Sequence, residues 1–261
     1  NTVSIAHYGG STINADCNWW ALYTLEAIGD LISGDVSVST ILLTDDLSGD
    51  CGQPWPKPVR TETETGSVIQ YFSSLQAAIN GSGDRSYTAV VNVSPGTYSE
   101  SLDINVDGLL VKSAAGAEVT TLDGGNGSGE AEATVRFSAN NASIEGFTID
   151  NQGGPRCIGP KASTGTLIKD NILINSQRGV QGDWYGRPTD LTIEGNTFQT
   201  TYGVAGTEDV TGLNITANTF ATSEEGIGLG VGSDVADVMA MANDQSWDIS
   251  GGYAIRGYRD N

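Results

Sequence analysis

A chain of 261 residues with 35 glycines, two methionines and few aromatic side chains has the composition of a turn-rich, all-β protein rather than a helical one. Thirty-two acidic against twelve basic residues leave a net charge of −20, which repels phosphate and argues against nucleic acid and anionic membranes as partners. No apolar run reaches the roughly 18 residues of a membrane span, and a single histidine, His7, cannot build a histidine-based zinc site.

In chain order, residues 1–52 differ in pattern from the rest of the chain. Asn1-Thr2-Val3 carries the same Asn-Thr-apolar phase that returns at Asn196-Thr197-Phe198 and Asn218-Thr219-Phe220. Cys17 and Cys51 flank this segment, and in a secreted protein they are expected to pair. Cys157, between Pro155 and Pro160, is read as a small buried apolar residue rather than a nucleophile. The start at Asn1, with no Met or apolar leader, is expected of a processed chain or an excised fragment.

Residues 53–66 are Pro-rich and then alternate Thr and Glu, the composition of an extended, semi-rigid linker. From residue 67 the pattern changes to short structured runs. Leu75, Ala78 and Ile79 share one face of a helix predicted near 73–80. Runs at 89–93, 102–106, 109–112, 119–122, 134–137 and 142–149 mostly alternate apolar and polar residues, as half-buried strands do.

The stretch from Leu167 to Arg259 holds an internal repeat. Leu167-Ile168-Lys169-Asp170-Asn171-Ile172, Leu191-Thr192-Ile193-Glu194-Gly195-Asn196-Thr197 and Leu213-Asn214-Ile215-Thr216-Ala217-Asn218-Thr219 place an Asn in the same phase every 22 to 25 residues, and Val238 to Asn243 is a degenerate fourth copy. Shorter runs lie between them, Arg178-Gly179-Val180 and Tyr202-Gly203-Val204 among others. Such short strands bury an apolar face only if each coil stacks on the last. Asn171, Asn196, Asn218 and Asn243 are expected to form a ladder of side chains bonded to turn backbone.

These residues resemble the right-handed parallel β-helix repeat proteins of the pectate-lyase-like superfold from about Ser67 onward. Ser74-Leu75-Gln76-Ala77-Ala78-Ile79-Asn80 is similar to that family's cap helix, and Val90-Val91-Asn92-Val93 through Gly96-Thr97-Tyr98-Ser99-Glu100 to its first coil. The resemblance implies a single all-β solenoid with a short cap helix, but no one activity, since the scaffold carries lyases, hydrolases, esterases, adhesins and structural coils. Ile13 to Trp20, ending Asn18-Trp19-Trp20, resembles the segment that closes the last coil in such proteins, and Ile32-Ser33-Gly34-Asp35-Val36 the strand after it. The opening residues thus read as the end of a β-helix, and Tyr253 to Asn261 as a coil without a closure.

Three arrangements accommodate that order: residues 1–52 fold back on their own chain, they dock on a neighbour, or the chain is a piece of a tandem protein. Fully extended, Gly52 to Gly66 reaches about 50 Å, and seven to nine coils stand roughly 34 to 43 Å tall. Folding back would consume nearly all that reach, so head-to-tail assembly with itself as partner is favoured, an open heterologous contact that makes filaments. The expected assembly residues are Asn1, Thr2, Val3, Ile5, Ile13, Trp19, Trp20, Tyr253, Ile255 and Tyr258, in an extracellular or cell-surface structural subunit.

The rivals are a carbohydrate-active enzyme and a monomeric glycan-binding adhesin. No catalytic residue is assigned: Lys and Arg are scarce for a lyase, and the paired Asp45-Asp46 lie in the leading segment. No cofactor is expected, and the one calcium-like stretch, Gly124 to Gly129, is a single copy with Gly129 where Asp belongs. Trp184 and Tyr185, between Asp183 and Arg187, suit a glycan or a subunit contact. Of the Asn-x-Ser/Thr triplets, Asn80 and Asn126 lie in the most loop-like contexts and are the candidate glycosylation sites.

Overall fold

The computed structural model describes residues 59–83, 89–124, 133–182, 186–206 and 210–229, together with short strands at 5–6, 13–14, 32–33, 36–37, 239–241 and 253–257. The described chain is a parallel β-helix with three faces. The first is a 9-stranded sheet in which Val90–Val93, Leu110–Ser113, Ser143–Glu145, Leu167–Lys169, Thr192–Glu194, Asn214–Thr216 and Met239–Met241 follow one another in parallel. The second and third faces share an 11-stranded sheet because two long strands, Thr148–Pro160 and Ile172–Gln181, bend from one face to the other.

Each face sends at least one residue per coil inward, and parallel register stacks these into columns. Val91, Val111, Ile144, Ile168, Ile193 and Ile215 line the first face. Tyr98, Leu122, Ile149, Leu173, Phe198 and Phe220 line the second, and Leu102, Val135, Ile158, Val180, Val204 and Ile227 the third. All of these side chains are buried in one continuous core. The β-branched residues suit it because their stiff side chains stack like on like. Phe198 and Phe220 stack with ring centroids 4.8 Å apart and planes 6° from parallel.

The corners repeat as faithfully as the strands. Asn171, Asn196 and Asn218 are buried, and each side-chain oxygen accepts the backbone N–H one coil earlier, from Phe147 at 3.0 Å, Asn171 at 2.9 Å and Asn196 at 2.8 Å. Their amide groups donate to the carbonyls of Ile144, Ile168 and Ile193. The predicted ladder is therefore present over three coils; Asn243 lies outside the described residues.

Beside it runs a column of left-handed backbone at Gly146, Asp170, Gly195 and Ala217, with φ of 75°, 52°, 67° and 56°. A second column, at Asn141, Gly165, Asp190 and Gly212, has the same sign of φ. Glycine and Asx alternate there for a steric reason: a Cβ on Gly195 would lie 2.3 Å from Asp170 Oδ1, and one on Gly212 2.4 Å from Asp190 Oδ1.

The helix α1, Leu75–Gly83, closes one end of the core with Leu75, Ala78 and Ile79 buried. It runs three residues past the predicted 73–80. The expected linker at 53–66 requires correction. Val59–Glu62 is a strand of the first sheet, antiparallel both to Val68–Phe72 and to Val90–Val93, and Thr63 to Gly66 make the turn between the first two. Only the first Thr-Glu pair of the alternation belongs to this strand, with Val59, Thr61 and Glu62 buried, and the remainder lies in the turn. Residues 53–58 lie outside the described residues.

Candidate functional site

Three surface features arise from the coil register. On the outer side of the first face, Lys112, Glu145, Lys169 and Glu194 stand opposite one another on successive strands, so charge alternates in sign along the stack. Lys169 Nζ lies 3.1 Å from Glu194 Oε1. That hydrogen bond, aided by the surrounding carboxylates, raises the Lys169 pKa above the ordinary lysine value. Two of the four lysines in a strongly acidic chain are used here, where like charges would otherwise face each other.

The second feature is the seat of α1. The Glu100 carboxylate accepts the backbone N–H of Leu75 at 3.0 Å and of Gln76 at 3.1 Å, and the Ser74 hydroxyl at 2.8 Å; Ser74 Oγ in turn accepts the Ala77 N–H. An anion thus sits on the helix N-terminus, where unpaired N–H groups and the dipole favour it. Gln76 completes the joint: its amide accepts the Asp103 N–H at 2.7 Å and donates to the Asp103 carbonyl at 3.1 Å, mimicking a further strand on the edge of Leu102–Ile104. Sequence reasoning assigned no role to Glu100 or Gln76. Ser74 is a local N-cap signal, but nothing local links it to a carboxylate 26 residues later.

The third feature is an open groove of about 530 Å³ at the bend between the second and third faces, lined by Gly153, Asn175, Ser176, Gln177, Gln199 and Thr201 among others, with no charged residue. At its rim the Arg178 guanidinium lies 6.0 Å from the Tyr202 ring centroid and donates to Gln177 Oε1 at 2.7 Å.

Of the expected assembly residues, Ile5, Ile13, Tyr253 and Ile255 lie in short strands, whereas Asn1, Thr2, Val3, Trp19, Trp20 and Tyr258 lie outside the described residues, as do Cys17, Cys51, Asn126, Trp184 and Tyr185. Asn80 differs from its expected loop context. It is an exposed residue of α1, its side chain bonded to Gln76 Nε2 at 2.9 Å, and Ser82 of the same triplet is buried with its hydroxyl on the Ala78 carbonyl. A Gly-Ser pair reads as a loop in isolation, but here α1 is held by the core beneath it. Cys157 is fully buried and donates to the Ile149 and Ile174 carbonyls, each at 3.4 Å. Burial pushes its thiol pKa up to about 12, so it has none of the thiolate character a nucleophile needs. Among the described residues no three His, Cys, Asp or Glu side chains gather as metal ligands.

Stacked parallel coils, three core columns and an asparagine ladder define the class: a β-solenoid of the parallel β-helix type. No family model and no curated protein matches the chain. Among solved structures, the pectin methylesterase from Aspergillus niger, in a deglycosylated form, matches over 73% of this chain and 83% of its own at 16% identity, with a TM-score of 0.35.

Proposed function

We propose that the protein is an extracellular structural subunit that assembles head to tail, residues 1–52 of one copy completing the β-helix end of the next. The observation that carries this reading is the spacing of the first strands. Ile5 pairs with Ile32 and Ile13 with Val36, both in parallel, at separations of 27 and 23 residues. That is the spacing of coils in the solenoid, where Thr192 pairs with Asn214 and Glu225 with Tyr253. Pairing at the coil spacing supports a coil-forming role for the leading segment.

Its strands make two separate two-stranded sheets, and among the described residues neither is bonded to Met239–Met241 or Tyr253–Gly257, the last strands of the two large sheets. Each of those last strands has one neighbour among the described residues, and in this reading the outer edge of each receives a matching coil. Parallel strand addition by a second copy satisfies both. The contact is heterologous and propagates instead of closing.

Negative-stain microscopy and sedimentation velocity of the purified chain test the reading. Fibres or long oligomers are expected, reduced to monomers by deletion of residues 1–52. A single monomer boundary, unchanged by the deletion across a wide concentration range, overturns it.

A further inference from the structure

The groove at the bend between the second and third faces differs in character from the rest of this surface. The chain carries 32 acidic residues, yet the groove is lined only by amide, hydroxyl, glycine and alanine groups drawn from successive coils. Asn175, Gln177, Gln199 and Ser223 are exposed along it. Because the coils stack, polar groups follow one another at the coil spacing of about 4.8 Å: Gln177 lies beside Thr201 and Thr200 beside Ser223, with Glu224 in line after Thr201 where the uncharged lining ends.

Several of these groups have their orientation set from behind. Asn175 Nδ2 donates to Asp150 Oδ2 at 3.0 Å. Arg178 donates to Gln177 Oε1, so the Gln177 NH2 is the group offered to an incoming acceptor. The Ser176 and Thr200 hydroxyls are turned inward, onto the Arg178 and Tyr202 carbonyls, each at 2.8 Å. The Gln199 backbone is paired in the sheet, whereas its side chain has no hydrogen-bond partner among the described residues, and a carboxamide both donates and accepts.

We infer that this groove binds a neutral, hydroxyl-rich polymer, an uncharged glycan chain lying along the solenoid axis. A sugar hydroxyl donates and accepts, as does a carboxamide, so each hydroxyl meeting Asn175, Gln177 or Gln199 exchanges water for an equivalent partner. The uncharged lining spares the ligand the cost of burying an unpaired charge. The net charge of −20 disfavours acidic polysaccharides at the same place. An open, shallow groove crossing several coils suits an extended chain held by repeated weak contacts rather than a small molecule enclosed in a pocket.

Isothermal titration of the whole protein with cellohexaose, xylohexaose and mannohexaose, and with polygalacturonate as the acidic counterpart, tests this at physiological salt. Saturable binding of at least one neutral hexasaccharide is expected, with polygalacturonate bound at least tenfold more weakly. Gln199→Glu and Gln177→Ala, both at exposed positions and checked for an unchanged thermal melt, should each weaken binding about tenfold. Absence of saturable binding to all three neutral probes, preference for polygalacturonate, or affinity unaffected by both substitutions each overturns the inference. Polymer length, read separately by sedimentation, should not change in either variant, so this result stands or falls apart from the assembly reading.

Discussion

At the scale of single residues, the corners of the coils hold more of the specificity than the strands. Asn196 Oδ1 accepts the Asn171 N–H and amide, while its own Nδ2 donates to Ile168, Glu194 and Asn218. Asn196→Ala leaves several buried groups without partners, and a loss of about 2 to 4 kcal/mol in denaturant unfolding is expected. Ala217 holds φ 56° where the preceding coil has Gly195 at 67°. Ala217→Gly relieves that left-handed strain and should raise stability by about 0.5 kcal/mol, after the added freedom of the unfolded glycine is subtracted. Burial pushes the Cys157 thiol up from the ordinary 9.0 to about 12. An acid whose pKa rises on folding stays protonated longer in the native state, so its contribution falls as pH climbs from about 9 towards 12. Cys157→Ala should flatten that part of the stability profile, and iodoacetamide should leave Cys157 unmodified until the protein unfolds.

Among whole elements, α1 is anchored by groups that local sequence does not connect. Glu100→Ala removes the acceptor of two N–H groups and one hydroxyl, and should cost about 1 to 3 kcal/mol in thermal or denaturant unfolding. The test of tertiary capping is a comparison: Glu64→Ala, in the exposed turn of the first hairpin, should be close to neutral. Charge alternation along the first face predicts an effect of a different kind. Lys169→Glu puts a third carboxylate in line between Glu145 and Glu194, and its melting temperature should recover towards the parent value as salt is raised, because the repulsion is solvent-screened.

For the molecule as a whole, stability is additive along the stack, since each coil touches only its neighbours. A solenoid can therefore end at any coil, provided something covers that end. At one end α1 does so with Leu75, Ala78 and Ile79. In the assembly reading, the other end is covered by the coil-spaced strands of a second copy. Mixing the full chain with a copy lacking residues 1–52 should then shorten polymers in proportion to the truncated fraction, since that copy receives a neighbour but cannot be received.

The repeat of apolar runs and asparagines by itself determined the class of fold and the ladder at Asn171, Asn196 and Asn218. These are local periodicities that survive unchanged when coils stack. The Thr-Glu alternation at Thr61 to Thr65 was visible too, but it marks neither the strand nor the turn into which it divides; pairing with Val68–Phe72 and Val90–Val93 made Val59–Glu62 part of the sheet. The Glu100 cap, the Gln76 edge contact, the charge alternation at Lys112 to Glu194 and the uncharged groove were decided by tertiary structure alone. Each joins residues about a coil or more apart in sequence, and a proximity created by stacking leaves no mark on the local sequence of either partner.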